Sequence, residues 1–311
     1  MPKLGRTIFG PIRSVDLNFY LMEMTMKKIS LIALLFSIAM LNAQAATLNL
    51  AKITGLKMPE SVVQASDGRV FVSEINGFGV DGDGQISLIQ DGKASLFAKG
   101  LDDPKGLAIV GNFLFVADIK KILKIAISGP KQGQVEVFAA ASAFPVTPVF
   151  LNDLEADLAG NLYVSDSGDL KGQGGAVYQI NAQGQVRLLI NSQQDNRILA
   201  PNGLLMDDTG DVLLIVDFAS GILYSYNLAS KQLMDVAQGF GGGDGLVHHA
   251  NGTMYVSDWK NGKVFRLDMT GEVTAIGPAY QSAADIALTR DEKVLMVPDM
   301  KAGELDFIAL P

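Results

Sequence analysis

VFVSE at 70–74, LFVAD at 114–118, LYVSD at 162–166, LLIVD at 213–217, MYVSD at 254–258 and LMVPD at 295–299 are six copies of one pattern. Each is a short apolar run that ends in an acid: Glu74, Asp118, Asp166, Asp217, Asp258 and Asp299. Successive acids are 44, 48, 51, 41 and 41 residues apart. That period fits one four-stranded blade of a β-propeller. One such sheet cannot bury its apolar faces alone, so the blades must pack around a centre. Ahead of each run stands a turn: Asp67-Gly68, Gly111-Asn112, Gly160-Asn161, Gly210-Asp211, Asn251-Gly252 and Asp291-Glu292. Gly, Asn and Asp tolerate the positive φ that tight hairpins need.

The blades read approximately 58–101, 102–148, 149–199, 200–242, 243–281 and 282–311. The last has room for only one strand after LMVPD, near Glu304–Leu310, while Leu48–Ile53 has no blade of its own. The expected closure gives that N-terminal strand to the last blade and removes an open edge. No helical period is sustained after residue 46, so the fold class is all-β and six-bladed. WD40 repeats are excluded by a single tryptophan, Trp259, and by the missing Gly-His…Trp-Asp signature.

The first 45 residues read as an address rather than as fold. Lys27 and Lys28 precede an apolar stretch from Ile29 to Leu41, followed by Ala43-Gln44-Ala45. This is the layout of a secretory signal, with cleavage expected after Ala45 and an over-extended start in residues 1–25. The expected domain is then 46–311, periplasmic or secreted, with no stable membrane insertion after cleavage. The segment removed holds five basic and two acidic residues, which takes the net charge from −8 to −11. An acidic chain without basic runs is a poor partner for nucleic acid or an anionic membrane.

Counting back 13–15 residues from each acid reaches the start of each first strand, at Glu60, Lys105, Asn152, Asn202, Asp244 and Asp285. These six are expected to converge at one mouth of the central tunnel, with a formal charge of −2. Buried like charge needs compensation. Two readings remain open here: a divalent cation held by Glu60, Asp244 and Asn202 or Asn152, or a water-filled tunnel in which Lys105 pairs with an acid. Oxygen ligands suit Ca²⁺, Mg²⁺ or Mn²⁺. A Cys/His zinc site is disfavoured, since the chain has no cysteine and only His248 and His249. Those histidines lie at the far end of their strand, and no Gly-x-Ser-x-Gly elbow supports a serine mechanism. The strand-ending acids are expected to be structural, accepting backbone N–H groups. The longer loops Ile75–Gly84 and Ser167–Gly175 should overhang the same mouth.

Glu60 in Met-Pro-Glu-Ser, Asn152-Asp153 in Leu-Asn-Asp-Leu-Glu-Ala-Asp, Asn202 in Pro-Asn-Gly-Leu and Asp244 in Gly-Asp-Gly-Leu carry a resemblance. With them the chain resembles the SMP-30/gluconolactonase/luciferin-regenerating enzyme-like propellers over roughly 50–311. The resemblance implies one divalent cation on Glu60, Asn202 and Asp244, with Asn152 facing metal or substrate. Ca²⁺ is the expected ion, with Mg²⁺, Mn²⁺ and Zn²⁺ as alternatives. The implied activity is hydrolysis of a sugar lactone or related cyclic ester, with Asp244 or Asp153 as proton acceptor and Lys105 and Phe150 beside the substrate. Two positions depart from the family. Ser61-Val62 stands where Gly-Pro is common, and Phe150 stands where a substrate-binding Arg is common. Loss of that guanidinium points to a less polar substrate or to lost catalysis. The reading from another class is a non-catalytic NHL-like propeller that binds a small ligand or a protein.

Overall fold

The computed structural model describes residues 51–311. The expected signal segment 1–45 and positions 48–50 lie outside the described residues. Twenty-four strands form six four-stranded antiparallel sheets, and the one helical turn among the described residues is the 3₁₀ segment Ala141–Ala143. Blade one spans Pro59 to Leu101, blade two Pro104 to Ala139 and blade three Leu151 to Asn191. Blade four spans Pro201 to Gln238 and blade five Gly243 to Ile276. Blade six holds Ala287–Leu288, Val294–Asp299 and Glu304–Ala309, and its fourth strand is Ile53–Thr54 from the other end of the described chain. Ile53 pairs with Leu305 and Thr54 with Glu304, so the expected closure forms.

The first strand of every blade packs against the first strands of its two neighbours, which closes an inner ring. Apolar side chains fill the space between successive blades. Phe71, Ile86, Leu114 and Val116 do so between blades one and two, and Val216, Leu223, Phe240 and Val256 between blades four and five. Full burial of one such side chain contributes about 1.5–3 kcal/mol.

Two features of the repeat aim the inner strands. The first is a β-bulge. In blade one Pro59 pairs with Glu74, but Val62 pairs with Val72, so the inner strand carries one extra residue. The same slip lies between Pro104 and Leu107, Leu151 and Leu154, Pro201 and Leu204, and Gly243 and Leu246. A bulge bends its strand and redirects a side chain. Glu60, Lys105, Asn152, Asn202 and Asp244 each occupy the first position of their bulge. The residue after them faces the next blade at close range. A Cβ on Gly106 would stand 2.5 Å from Asp153 Cα and 2.6 Å from the Leu154 nitrogen, and one on Gly203 would collide with the Asp244 carbonyl oxygen.

The second feature is the strand-ending acid. Asp166 accepts the N–H groups of Val149 and Phe150, at 2.9 and 2.8 Å. Asp217 does the same for Leu199 and Ala200, at 2.9 and 2.8 Å, and Asp299 for Gln281 and Ser282, at 2.8 and 3.0 Å. Glu74, Asp118 and Asp258 accept from Lys57, Asp102 and Gly242 in the same way. Each acid therefore pins the backbone that leads into its inner strand. The expected structural role of these acids holds.

Candidate functional site

Five of the six expected side chains meet in one cavity of about 310 Å³: Glu60, Lys105, Asn152, Asn202 and Asp244 line it. The sixth, Asp285, does not. In blade six Ala283 bridges Asp299 and Ala287 pairs with Met296, so the first bulge position belongs to Ala284. Asp285 takes the second position, where its Oδ2 accepts the Ser61 hydroxyl at 2.5 Å. The mouth therefore carries a formal charge of −1 rather than the expected −2, since blade six contributes no polar group. Two further carboxylates, Asp153 and Asp285, lie just behind the inner ring at equivalent second positions.

Asp153, expected as an alternative proton acceptor, is not among the cavity-lining residues. Its Oδ1 accepts the Leu154 N–H and its Oδ2 the Leu204 N–H, both at 2.7 Å. Both oxygens are committed to backbone, and the second bond ties blade three to blade four. Lys105 lines the cavity but lacks the acid partner that one of the two open readings gave it. Among the described residues it makes no ion pair. Its Nζ donates to the Asp103 carbonyl at 3.0 Å and stands 4.2 Å from the centroid of the Phe150 ring. Phe150 thus fills the expected place beside the site and carries a cation on its face. His248 and His249 line no part of the cavity.

The electrostatics follow from burial. Desolvation pushes the Asp244 carboxyl up to about 8, with the Asp153 charge adding to it. Desolvation also raises Glu60 well above the usual carboxylate range, reinforced by Asp244. Lys105 is lowered by desolvation, against the pull of Glu60. Asp153 moves up to about 6 by desolvation.

The hydrogen bonds leave particular oxygens unclaimed. Asn202 Nδ2 donates to Asp244 Oδ1 at 3.1 Å, and the buried Asn202 Oδ1 has no partner. Glu60 Oε2 is likewise buried and without a partner. Asn152 Nδ2 donates to the Ser167 hydroxyl at 3.0 Å, which turns its carbonyl oxygen away from that bond. Buried oxygens without a hydrogen-bond partner are costly unless something positive meets them. Two carboxylates and two amides form a hard oxygen donor set that fits a Ca²⁺-class cation. Among the described residues no three His, Cys, Asp or Glu side chains cluster for a metal. The donor set here is a mixed one, completed by amides.

The cavity also has an apolar wall that the sequence motifs do not announce. Ile75, Phe218, Trp259 and Met300 line it, and each is the residue directly after a strand-ending acid. Phe78 and Leu170 join them from the two long loops, which do overhang this mouth. Phe218 and Trp259 lie with ring centroids 6.2 Å apart, and the Trp259 indole N–H donates to Met300 Sδ at 3.4 Å. The repeat itself held the signal, because that position is apolar in every blade except the third, where it is Ser167.

These observations define a class: a six-bladed propeller with an axial, oxygen-rich site under an apolar mouth. The family model described as the SMP-30/Gluconolactonase/LRE-like region matches residues 111–288, more than half of the chain, and the chain belongs to that family. Among solved structures it is similar to a calcium-binding protein, regucalcin, from Agrobacterium tumefaciens, at 17% identity and a TM-score of 0.65 over 82% of this chain and 90% of that one. A protein provisionally described as a gluconolactonase matches at 18% identity and a TM-score of 0.65, over 84% of this chain and 90% of the other. A chain of a nidogen/laminin complex matches at 20% identity and a TM-score of 0.58, over 71% and 81%. At such identities these likenesses show the fold alone, and the fold serves unrelated functions. No curated protein sequence matches the chain significantly.

Proposed function

We propose that this chain is a divalent-cation-dependent hydrolase of a lactone or related cyclic ester. The observation that carries the reading is the pair of unclaimed buried oxygens, Glu60 Oε2 and Asn202 Oδ1, beside Asp244 in one cavity. Glu60, Asn152, Asn202 and Asp244 would hold the cation, with Ca²⁺ the best match to the donor set. When bound, such an ion polarises a carbonyl and acidifies water.

The chain's own groups supply the rest. Asn202 Nδ2 fixes Asp244 through Oδ1, which leaves Oδ2 to accept the proton of an attacking water. Water oxygen bonds to the acyl carbon, the ring C–O bond breaks, and that proton passes to the departing alkoxide. The product is the open hydroxy acid. Lys105, braced by the Asp103 carbonyl and the Phe150 ring, donates to the oxygen on which charge develops. Asp153 keeps a framework role, holding blades three and four in register at the site. The apolar stretch ahead of the fold supports export, so we place the enzyme in the periplasm or outside the cell, acting on a small molecule.

Lactone hydrolysis by the mature chain, with Ca²⁺, Mg²⁺, Mn²⁺ or Zn²⁺ and with chelator, tests the reading. Chelation and Asp244→Ala should each abolish turnover while the chain stays folded. Full activity in either control refutes it. Cation binding without turnover on any lactone identifies a non-catalytic ligand-binding propeller instead.

A further inference from the structure

We infer that the cavity takes a lactone with an apolar body, an alkyl- or aryl-substituted ring, and not a polyhydroxylated sugar lactone. The inference rests on the hydrolase reading above and deepens it by naming the substrate class.

A sugar lactone brings several hydroxyls, and each needs a donor or acceptor once buried. The polar wall has little left to offer. Oxygens of Glu60, Asn152, Asn202 and Asp244 would be taken up by the cation. One amide N–H of Asn152 is spent on Ser167, and one of Asn202 on Asp244. Lys105 spends one N–H on the Asp103 carbonyl. The remainder suits the ester group itself and not a polyol around it.

The rest of the wall favours apolar contact. Phe78, Phe150, Leu170, Phe218, Trp259 and Met300 carry no hydroxyl, carboxylate or amide side chain to meet a sugar. Burying hydrocarbon against them is favourable in proportion to the area removed from water. The aromatic rings are held in place from outside. Lys260 Nζ lies 4.2 Å from the Phe218 ring centroid and donates to the Phe218 carbonyl, and Lys301 Nζ lies 4.1 Å from the Trp259 centroid. The wall is therefore built and not collapsed, and a volume of about 310 Å³ suits a small ligand. Lys105 on Phe150 is the polar anchor, the only cation among the residues that line the cavity.

Trp259 is the chain's single tryptophan, so its fluorescence reports the cavity directly. The Ca²⁺-loaded protein is titrated with two non-hydrolysable lactams: a δ-lactam with a pentyl tail, and gluconolactam. The pentyl lactam should give a saturable change at a concentration at least about tenfold below any change from gluconolactam. Phe218→Ser and Lys105→Met, each checked for folding by its unfolding transition, should weaken the pentyl lactam about tenfold. Equal or tighter binding of gluconolactam overturns the inference, as does unaltered pentyl-lactam binding in both folded variants. Hydrolysis of δ-decalactone and glucono-δ-lactone separates the two claims. Faster turnover of the sugar lactone sinks the substrate class and leaves the hydrolase. Binding of the pentyl lactam with neither lactone hydrolysed sinks the hydrolase and leaves the ligand class.

Discussion

Asp217→Ala tests whether the strand-ending acids are framework and not chemistry. Asp217 is fully buried. Its Oδ2 accepts the N–H groups of Leu199 and Ala200, and its Oδ1 those of Ala219 and Ser220, at 3.0 and 2.9 Å. With the Ser220 hydroxyl, which also donates to Oδ1 at 3.1 Å, truncation removes both acceptor oxygens and five hydrogen bonds at once. Hydrogen bonds to a charged group contribute about 1.5–3 kcal/mol each, and a buried donor left alone costs about 1–3 kcal/mol. The Ala200 N–H is buried and stays unpaired in the variant, whereas the N–H groups of Leu199, Ala219 and Ser220 lie nearer solvent. Part of the loss is offset because a buried charge disappears as well. The net cost should be about 3–5 kcal/mol. Asp217→Asn keeps one acceptor oxygen and should cost about half as much. Urea unfolding reads this as a lower midpoint at unchanged slope. The folded fraction of each variant should still bind cation, since Asp217 touches none of the proposed ligands. A loss below about 1 kcal/mol for Asp217→Ala, or loss of cation binding at full stability, would refute the framework role.

Two further outcomes follow from the inner ring. Gly203→Ala places a methyl against the Asp244 carbonyl and 2.9 Å from Val216 Cγ1, and backbone cannot yield there as a side chain tip would. It should destabilise the chain by about 1–3 kcal/mol in urea unfolding, and a neutral result would contradict the close approach. The pH dependence concerns the chelator-treated chain. Asp244 holds its proton to about 8 when folded but only to about 4 when unfolded, so the folded state binds more protons between those values. This contribution to stability is fully present below pH 4 and is lost as pH rises toward 8, by about 1.4 kcal/mol per unit for each proton so held. Glu155, raised to about 8 by desolvation, acts in the same sense. The urea midpoint should therefore drop from pH 5 to pH 8, more shallowly in Asp244→Asn. A rise over that window, or an unchanged slope in the variant, would contradict the assignment.

The architecture was legible because one physical demand recurs six times. An apolar strand ending in an acid is needed wherever a blade must anchor the entry of its inner strand, and Glu74 through Asp299 record it. The inner ring was legible in five blades for the same reason, since the bulge sits at a nearly fixed distance from the acid. Blade six misled the count because its bulge position holds an alanine and the residue beside it is an acid. Ala284 lies 15 residues before Asp299, as Asn202 does before Asp217, and Asp285 is the polar residue next door. Proximity also hid the roles of Asp153 and Lys105. Sequence position brings both near the axis, but which hydrogen bonds they spend depends on the neighbouring blade and loop. The apolar mouth went unread because Ile75, Phe218, Trp259 and Met300 look like ordinary loop-entry residues until the ring gathers them.

Calorimetric titration of the chelator-treated protein with Ca²⁺ addresses the central claim most directly. The account predicts one site per chain, lost in Glu60→Gln and in Asp244→Asn while both variants remain folded. Equal affinity in those variants, or no heat from Ca²⁺, Mg²⁺, Mn²⁺ or Zn²⁺, would contradict it.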